Sequence, residues 1–259
     1  MPNFVNDGHS LHYKVHGDGW PVVLLHGITV SFAGNYTAWG WVERLCTMGL
    51  QVIGLDFRGH GGSDKPRDPA AYGTEALAGD VIALLDHLGI ARASLMGYSL
   101  GSKIALHLLH AAPLRFDRSV LIATGDGLIG LPPYTSGEVL PRIAEAVGRP
   151  EFPADLPMHV ATYWTFATKV GGDRDAAVAA ARASYPPCAL EMVATIGVPV
   201  LVVSGERDPV LGRGPRLAEA LPRGRYVEIA DADHFQLAGH EDAQRAVAAF
   251  LAEAEGSMR

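Results

Sequence analysis

The sequence has little cysteine and no long apolar run, and each shortage excludes a class of protein. Only Cys46 and Cys188 occur in 259 residues, with no C-x-x-C pair, so neither a disulfide framework nor a zinc knuckle is indicated. No apolar run approaches the roughly 20 residues that span a bilayer, and the N-terminus lacks a basic region followed by an apolar core. We therefore expect a cytoplasmic protein with no membrane partner.

Positive charge is also scarce. Lys and Arg together number 21 against 28 Asp and Glu, and the net charge is −7 with no long basic run. Such a chain offers no extended basic surface that would bind nucleic acid or an anionic membrane. Its apolar content of 48% is ample for a buried core. We expect a globular protein that acts on a small molecule, and the sequence does not indicate an oligomeric state.

Six short segments are apolar and rich in β-branched residues, namely 22–25, 52–55, 94–96, 119–123, 200–203 and 226–229. Most are apolar throughout, which is typical of strands buried on both faces of a parallel sheet. Residues 4–15, with Asp7-Gly8 at their centre, predict a leading hairpin.

Segments with helical spacing lie between these strands. The clearest are 74–88 and 100–112, and two more follow at 216–221 and 241–255. Alternation of strand and helix predicts an α/β fold, in which helices flank a mostly parallel central sheet.

The alternation lapses over residues 126–190, which hold eight of the 17 prolines. This segment is either a long connector that covers the core or a small helical lid over a site. We prefer the lid, because the strand pattern resumes cleanly at Val198. Residues 1–125 and 191–259 would then form the core domain, and residues 126–190 the lid insertion.

Ser99 lies in the stretch GYSLG, directly after the predicted strand Leu95-Met96 and directly before a helix. Small residues at positions 97 and 101 suit a sharp strand-to-helix turn that would expose the serine hydroxyl. The Leu100 N–H would then lie at a helix N-terminus, where partial positive charge suits an oxyanion. Ser99 is therefore a candidate nucleophile, although a serine in a tight turn is the alternative.

A serine nucleophile requires a base and an acid that orients the base. Asp208 follows the strand 200–203, and His234 follows the strand 226–229. Loops at the carboxyl ends of parallel strands meet at one edge of the sheet, so these side chains could reach Ser99. Asp126 is an alternative acid because it also follows a strand, and Asp231 or Asp233 could contact the histidine locally.

These features resemble the α/β-hydrolase fold superfamily over nearly the full length of the chain, in the order nucleophile, acid, histidine. His26-Gly27 after VVLL resembles the oxyanion-loop motif of that family, which implies that Ile28 supplies the second oxyanion N–H. The run DFRGHGGS, residues 56–63, resembles a turn that is normally structural in the family. Ser102 stands where the family often has glycine, and it is either inert packing or a residue that narrows the space around Ser99.

The resemblance implies a carboxylesterase-like serine hydrolase that cleaves an ester-like bond of a small to medium, largely apolar acyl substrate and needs no cofactor. The same triad would serve a lactonase, a thioesterase, a carbon-carbon bond hydrolase or a cofactor-free perhydrolase/haloperoxidase. Serine at position 99 argues against the epoxide-hydrolase and dehalogenase branches, which use aspartate there. A non-catalytic ligand-binding protein of the same fold is a further alternative.

Four aromatic residues are candidates for the substrate pocket, namely Tyr98, Trp39, Trp164 and Phe166. Packing in the core is the alternative role for each. His9 and His12 are close in sequence, but no acidic or cysteine partner follows at a ligand spacing, so we expect no metal site.

Overall fold

The computed structural model describes residues 2–131, 136–169 and 172–253. The strands are β1 (Asn3–Asn6), β2 (His9–His16), β3 (Trp20–Leu25), β4 (Leu50–Leu55), β5 (Ala93–Tyr98), β6 (Phe116–Ile122), β7 (Val200–Gly205) and β8 (Gly224–Ile229). The α-helices are α1 (Phe32–Asn35), α2 (Trp41–Thr47), α3 (Thr74–His87), α4 (Leu100–Ala111), α5 (Ser136–Gly148), α6 (Met158–Lys169), α7 (Arg174–Arg182), α8 (Leu190–Val193), α9 (Pro215–Ala220) and α10 (Glu241–Ala252).

The eight strands form one sheet in the order β1-β2-β4-β3-β5-β6-β7-β8. Strand β2 pairs antiparallel with both β1 and β4, and every pairing from β4 to β8 is parallel. The predicted mostly parallel sheet is confirmed. Its carboxyl edge collects the loops that follow β3, β5, β7 and β8.

The apolar strands are buried on both faces because side chains along a strand alternate in direction. In β3, Val23 and Leu25 enter one hydrophobic cluster, whereas Val22 and Leu24 enter a second cluster on the opposite face. Continuous apolar sequence is therefore required here, and it explains why these strands show no polar alternation.

Helices cover the two faces separately. The first cluster includes Leu77 and Val81 of α3 and Ile104 of α4, while the second includes Trp41 of α2 and Val247 of α10. Helices α3, α4 and α10 lie within the segments for which the sequence spacing predicts helices, and each buries an apolar stripe. The sheet is thus the middle layer of three.

The predicted hairpin is present, with β1 and β2 joined by Asp7 and Gly8. Both turn residues have positive φ, 47° and 76° respectively, as a two-residue type I′ turn requires.

Of the α-helices between β6 and β7, the three that come first, α5, α6 and α7, pack together, with α5 against both of the others. We call them the cap helices. They fall within the segment for which we predicted a lid, and residues 132–135 and 170–171 of that segment lie outside the described residues. Over the described ranges, no helix combines the length and the apolar character needed to cross a membrane.

Candidate active site

Ser99 lies in the turn between β5 and α4 with an unusual backbone, φ 54° and ψ −110°. The flanking glycines make the turn sterically possible. A Cβ on Gly97 would overlap the backbone of Gly101, and a Cβ on Gly101 would overlap the carbonyl of Leu25. The G-x-S-x-G spacing is therefore explained by close backbone packing, and it holds Ser99 at the carboxyl edge of the sheet.

Ser99, His234 and Asp208 form a hydrogen-bonded row. His234 Nε2 lies 3.0 Å from Ser99 Oγ, and His234 Nδ1 lies 2.8 Å from Asp208 Oδ2. All three residues are at least nine-tenths buried. With Asp208 ionised, Nδ1 carries the proton and donates to it, which leaves Nε2 free to accept the serine proton.

The carboxylate of Asp208 is held by backbone donors on its other oxygen. Oδ1 accepts from the N–H groups of Val210 at 2.7 Å and Leu211 at 3.0 Å. Asp126, the alternative acid, has a different partner, because its Oδ1 accepts from the Leu217 N–H at 2.9 Å near the start of α9. The structure thus brings Asp208, and not Asp126, to the histidine ring.

The two acidic residues before His234 also have partners of their own. Asp233 Oδ1 accepts from the N–H groups of Phe235 at 2.9 Å and Gln236 at 2.8 Å. Asp231 forms an exposed ion pair with Arg207 at 2.8 Å. Both carboxylates therefore shape the loop that carries His234, and neither contacts the ring.

The loop after β3 places Ile28 beside Ser99 in the walls of the cavities at this site. On one side of Ile28, the Gly27 N–H donates to Asn35 Oδ1 at 2.9 Å, and on the other, the Thr29 N–H donates to His60 Nε2 at 3.0 Å. Ile28 itself lines the cavities beside Ser99, and its N–H donates to no protein acceptor within the described ranges. It is thus positioned between two fixed neighbours and is available to a ligand.

Leu100 begins α4, so its N–H has no partner within the helix.

The sequence left two roles open for Ser102, inert packing or narrowing of the space around Ser99. The Ser102 hydroxyl lies 2.9 Å from the Gly97 carbonyl and 3.0 Å from the Ile122 carbonyl. Ser102 therefore ties the first turn of α4 to the ends of β5 and β6, which is a packing role.

Two buried histidines brace the loop after β3. His26 Nδ1 donates to the Gly27 carbonyl at 2.7 Å and Nε2 accepts from the Phe57 N–H at 3.0 Å. His60 Nδ1 donates to the Arg58 carbonyl at 3.0 Å. Burial lowers the pKa of both rings, that of His60 to about 3, so each is neutral and holds one N–H and one acceptor.

The turn over residues 56–63 is an internal network, as the resemblance implied. Asp56 accepts from the Phe32 N–H at 2.8 Å and the Gly62 N–H at 2.9 Å. Arg58, 1% exposed, donates twice to the buried carboxylate of Asp80, at 2.8 and 2.5 Å. These bonds fix the turn beneath the loop that carries Ile28.

A cavity of about 260 Å³ opens at Ser99 and His234. Three of the four aromatic residues proposed for the pocket, Tyr98, Trp39 and Phe166, line it. Its wall also includes residues that sequence reasoning missed, namely Tyr163, Phe235, Asn35, Val30 and Ala238. A second cavity, of about 30 Å³, also borders Ser99.

Trp164 does not line this cavity, contrary to the prediction. Its indole N–H donates to the Arg149 carbonyl at 2.9 Å, and its ring packs edge-on against Phe152 at 5.7 Å between centroids. On α6 a step of three residues keeps Tyr163 and Phe166 on one face, whereas Trp164 is turned about 100° away from Tyr163. Trp164 therefore ties α6 to the connection that follows α5.

Phe235 joins the cap to the histidine loop. Its ring lies edge-on to those of Tyr163 and Phe166 on α6, at 5.4 and 5.8 Å, and 5.4 Å from the ring of His234. The only sequence signal for this role was an aromatic residue directly after the candidate base.

Comparison with known proteins gives one family and several relatives. A model of the family described as alpha/beta hydrolase fold matches residues 21–171. A provisionally named non-heme bromoperoxidase of Mycobacterium tuberculosis is 30% identical over 248 residues, 87% of this chain and 90% of that protein. The enol-lactonase of Burkholderia xenovorans LB400 has a similar structure, with a TM-score of 0.77, 29% identity and coverage of 96% of this chain and 99% of that one.

Other relatives match only in part. Uncharacterized proteins of Mycobacterium bovis and Mycobacterium tuberculosis are 35% identical over 118 residues, which is 46% of this chain and 33% of their own length. This chain thus corresponds to about a third of the length of those relatives.

Proposed function

We propose that this chain, which belongs to the α/β-hydrolase fold family, is a serine hydrolase that cleaves an ester-like bond of a largely apolar substrate. The observation that carries the proposal is the buried row in which His234 lies 3.0 Å from Ser99 Oγ and 2.8 Å from Asp208. A serine hydroxyl is a weak nucleophile near neutral pH, and this arrangement supplies both the base and the acid that orients it.

In the proposed first step, His234 Nε2 takes the Ser99 proton while Ser99 Oγ bonds to the ester carbonyl carbon. The carbonyl oxygen becomes an oxyanion and accepts hydrogen bonds from the N–H groups of Ile28 and Leu100. His234 then gives its proton to the leaving oxygen, so an alcohol departs and Ser99 carries the acyl group. Asp208 stays ionised and stabilises the imidazolium throughout.

In the second step, water attacks the acyl carbon while His234 Nε2 takes one of its protons. The oxyanion again lies between the two backbone N–H groups. Collapse releases a carboxylic acid, and His234 returns the proton to Ser99 Oγ. No step draws on a cofactor.

The cavity lining supports an apolar substrate. Val30, Trp39, Phe166 and Phe235 contribute aliphatic and aromatic surface to the 260 Å³ cavity. Pockets of this kind gain affinity from apolar surface and orientation from a few polar groups. In this cavity, Ser99 and His234 supply polar groups, and they lie 3.0 Å apart.

Labelling with a fluorophosphonate probe tests the nucleophile directly. We expect one adduct, on Ser99, that is lost in Ser99→Ala and retained in Ser102→Ala, the matched control one helical turn along α4. Hydrolysis of short p-nitrophenyl esters should follow the same pattern. An unlabelled but natively folded protein would exclude the serine hydrolase, whereas labelling without turnover would favour a ligand-binding protein of the same fold.

Lactone hydrolysis is the second candidate, and the likeness to the enol-lactonase over 96% of this chain favours it. A lactone would form the same acyl-enzyme, except that the leaving oxygen stays tethered to the acyl group. Titration of acid release from a panel of lactones and open-chain esters separates the two. A kcat/KM for lactones at least about 100-fold above that for esters would make lactones the primary substrate class; this corresponds to about 2.7 kcal/mol of transition-state preference.

A further inference from the structure

The two cavities that meet at Ser99 differ in size and in their relation to His234. The larger, of about 260 Å³, has His234 in its wall. The smaller, of about 30 Å³, has mainly aliphatic walls, and His234 is not among the described residues that form it. Ser99, Ile28 and Tyr163 border both. An ester carbonyl held at Ser99 would therefore direct one substituent into each cavity.

The general acid decides which substituent enters which cavity. In the proposed mechanism His234 Nε2 must reach the leaving oxygen to protonate it, so that oxygen and its alcohol lie on the His234 side. That side is the larger cavity. The acyl substituent, which receives no proton, is left with the smaller cavity.

We propose that the smaller cavity is the acyl site and that the protein selects acetyl and propionyl esters of larger, apolar alcohols. This inference rests on the proposed serine hydrolase function and names its substrate class. One water-sized group requires about 10–15 Å³ of such volume. A cavity of about 30 Å³ thus holds roughly two groups beyond the carbonyl carbon.

Lys103 limits the length of the acyl site. It follows Ser99 by one turn of α4 and lines both the small cavity and a third cavity of about 460 Å³. Its side chain is 2% exposed, and Nζ donates to the carbonyl of Pro186, a residue of the third cavity. The methylene stem therefore faces the small cavity, while the ammonium points away from Ser99.

An acyl series tests the size limit. With p-nitrophenyl esters, kcat/KM should be highest for acetate or propionate and at least about 10-fold lower for hexanoate, because further methylenes must displace packed walls. In a second series, benzyl acetate should exceed methyl acetate at least about 10-fold, since burial of the ring contributes only in the larger cavity. A kcat/KM that stays flat or rises to the octanoate would overturn the proposal.

Variants of the cavity wall test the assignment itself. Lys103→Ala removes the stem and joins the small cavity to the third one, so the octanoate-to-acetate ratio should rise at least about 10-fold. Lys103→Met keeps a stem of similar length and should keep the parent ratio. Ile143→Ala, which enlarges the small cavity from α5, should raise the hexanoate-to-acetate ratio. Phe166→Ala, in the larger cavity, should alter the alcohol preference alone.

Failure of this inference differs from failure of the proposed function. If the parent hydrolyses esters, Ser99→Ala does not, and the acyl ratio is unchanged in natively folded Lys103→Ala and Ile143→Ala, the serine hydrolase stands and the acyl site is wrong. If Ser99→Ala hydrolyses all esters as fast as the parent, the serine hydrolase itself is wrong. Circular dichroism of each variant establishes that it is folded.

Discussion

Acid should destabilise this protein through His60, and the size of the effect follows from its pKa. Burial lowers that pKa from 6.5 to about 3 in the folded protein, whereas the unfolded chain regains the ordinary value of 6.5. Between these two values the unfolded state binds a proton that the native state does not. Stability attributable to neutral His60 is therefore full above pH 6.5 and is lost as the pH falls towards 3.

The magnitude can be worked out for a fall from pH 7 to pH 5. Each pH unit below 6.5 costs about 1.36 kcal/mol for one proton, which gives about 2 kcal/mol at pH 5. His60→Gln keeps an acceptor for the Thr29 N–H and a donor for the Arg58 carbonyl but has no titration in this range.

Urea unfolding of the parent and of His60→Gln at pH 7 and pH 5 measures the difference. Titration of all other groups contributes to both proteins, so it cancels to first order. We expect the parent to lose about 2 kcal/mol more than the variant over this range. Equal losses would refute the neutral, buried state of His60, whatever the absolute stability of the variant at pH 7.

Three further predictions concern the site and its support. Asp208→Asn should lower kcat/KM by about 10⁴-fold through loss of the correct histidine tautomer, while Asp126→Asn should lower it less than about 10-fold. If steady-state kinetics gave the reverse order, Asp126 would be the acid that orients His234. Ser102→Ala should reduce the free energy of unfolding by about 0.5–1.5 kcal/mol, because the one hydroxyl hydrogen bond shared between the Gly97 and Ile122 carbonyls is lost while the Ile122 carbonyl keeps the Ser99 N–H as a donor, with kcat/KM little changed. Asp80→Ala should cost about 3–5 kcal/mol, because the buried Arg58 guanidinium would keep only the Ala71 carbonyl and an ion pair with the exposed Asp7. A loss below about 1 kcal/mol in urea unfolding would contradict the importance of the Arg58–Asp80 pair.

The parallel strands of the sheet could be predicted from sequence because they are buried on both faces, which leaves a continuous apolar signal. The meeting of Ser99, Asp208 and His234 could be anticipated for a related reason. Each follows a parallel strand, and such strands end at one edge. Chain order and strand direction therefore carry most of the information about this row of residues.

The walls of the cavities could not be predicted in the same way. Tyr163, Trp164 and Phe166 are all aromatic, and only the packing of α6 on the rest of the protein decides which of them face Ser99. The smaller cavity is lined by residues of α4 and of the cap helices α5 and α6, and no local pattern encodes how these helices are placed around it. Lys103 illustrates this, because a lysine in an amphipathic helix is ordinarily read as a surface residue.

The backbone of Ser99 has a consequence for how this position persists in evolution. At φ 54° and ψ −110° a residue with a Cβ is strained by about 1–3 kcal/mol, and glycine would adopt the same backbone without that strain. Ser99→Gly would accordingly give a chain that is easier to fold and has no hydroxyl. Selection for folding alone would thus favour replacement of this serine, and only a requirement for its hydroxyl would retain it.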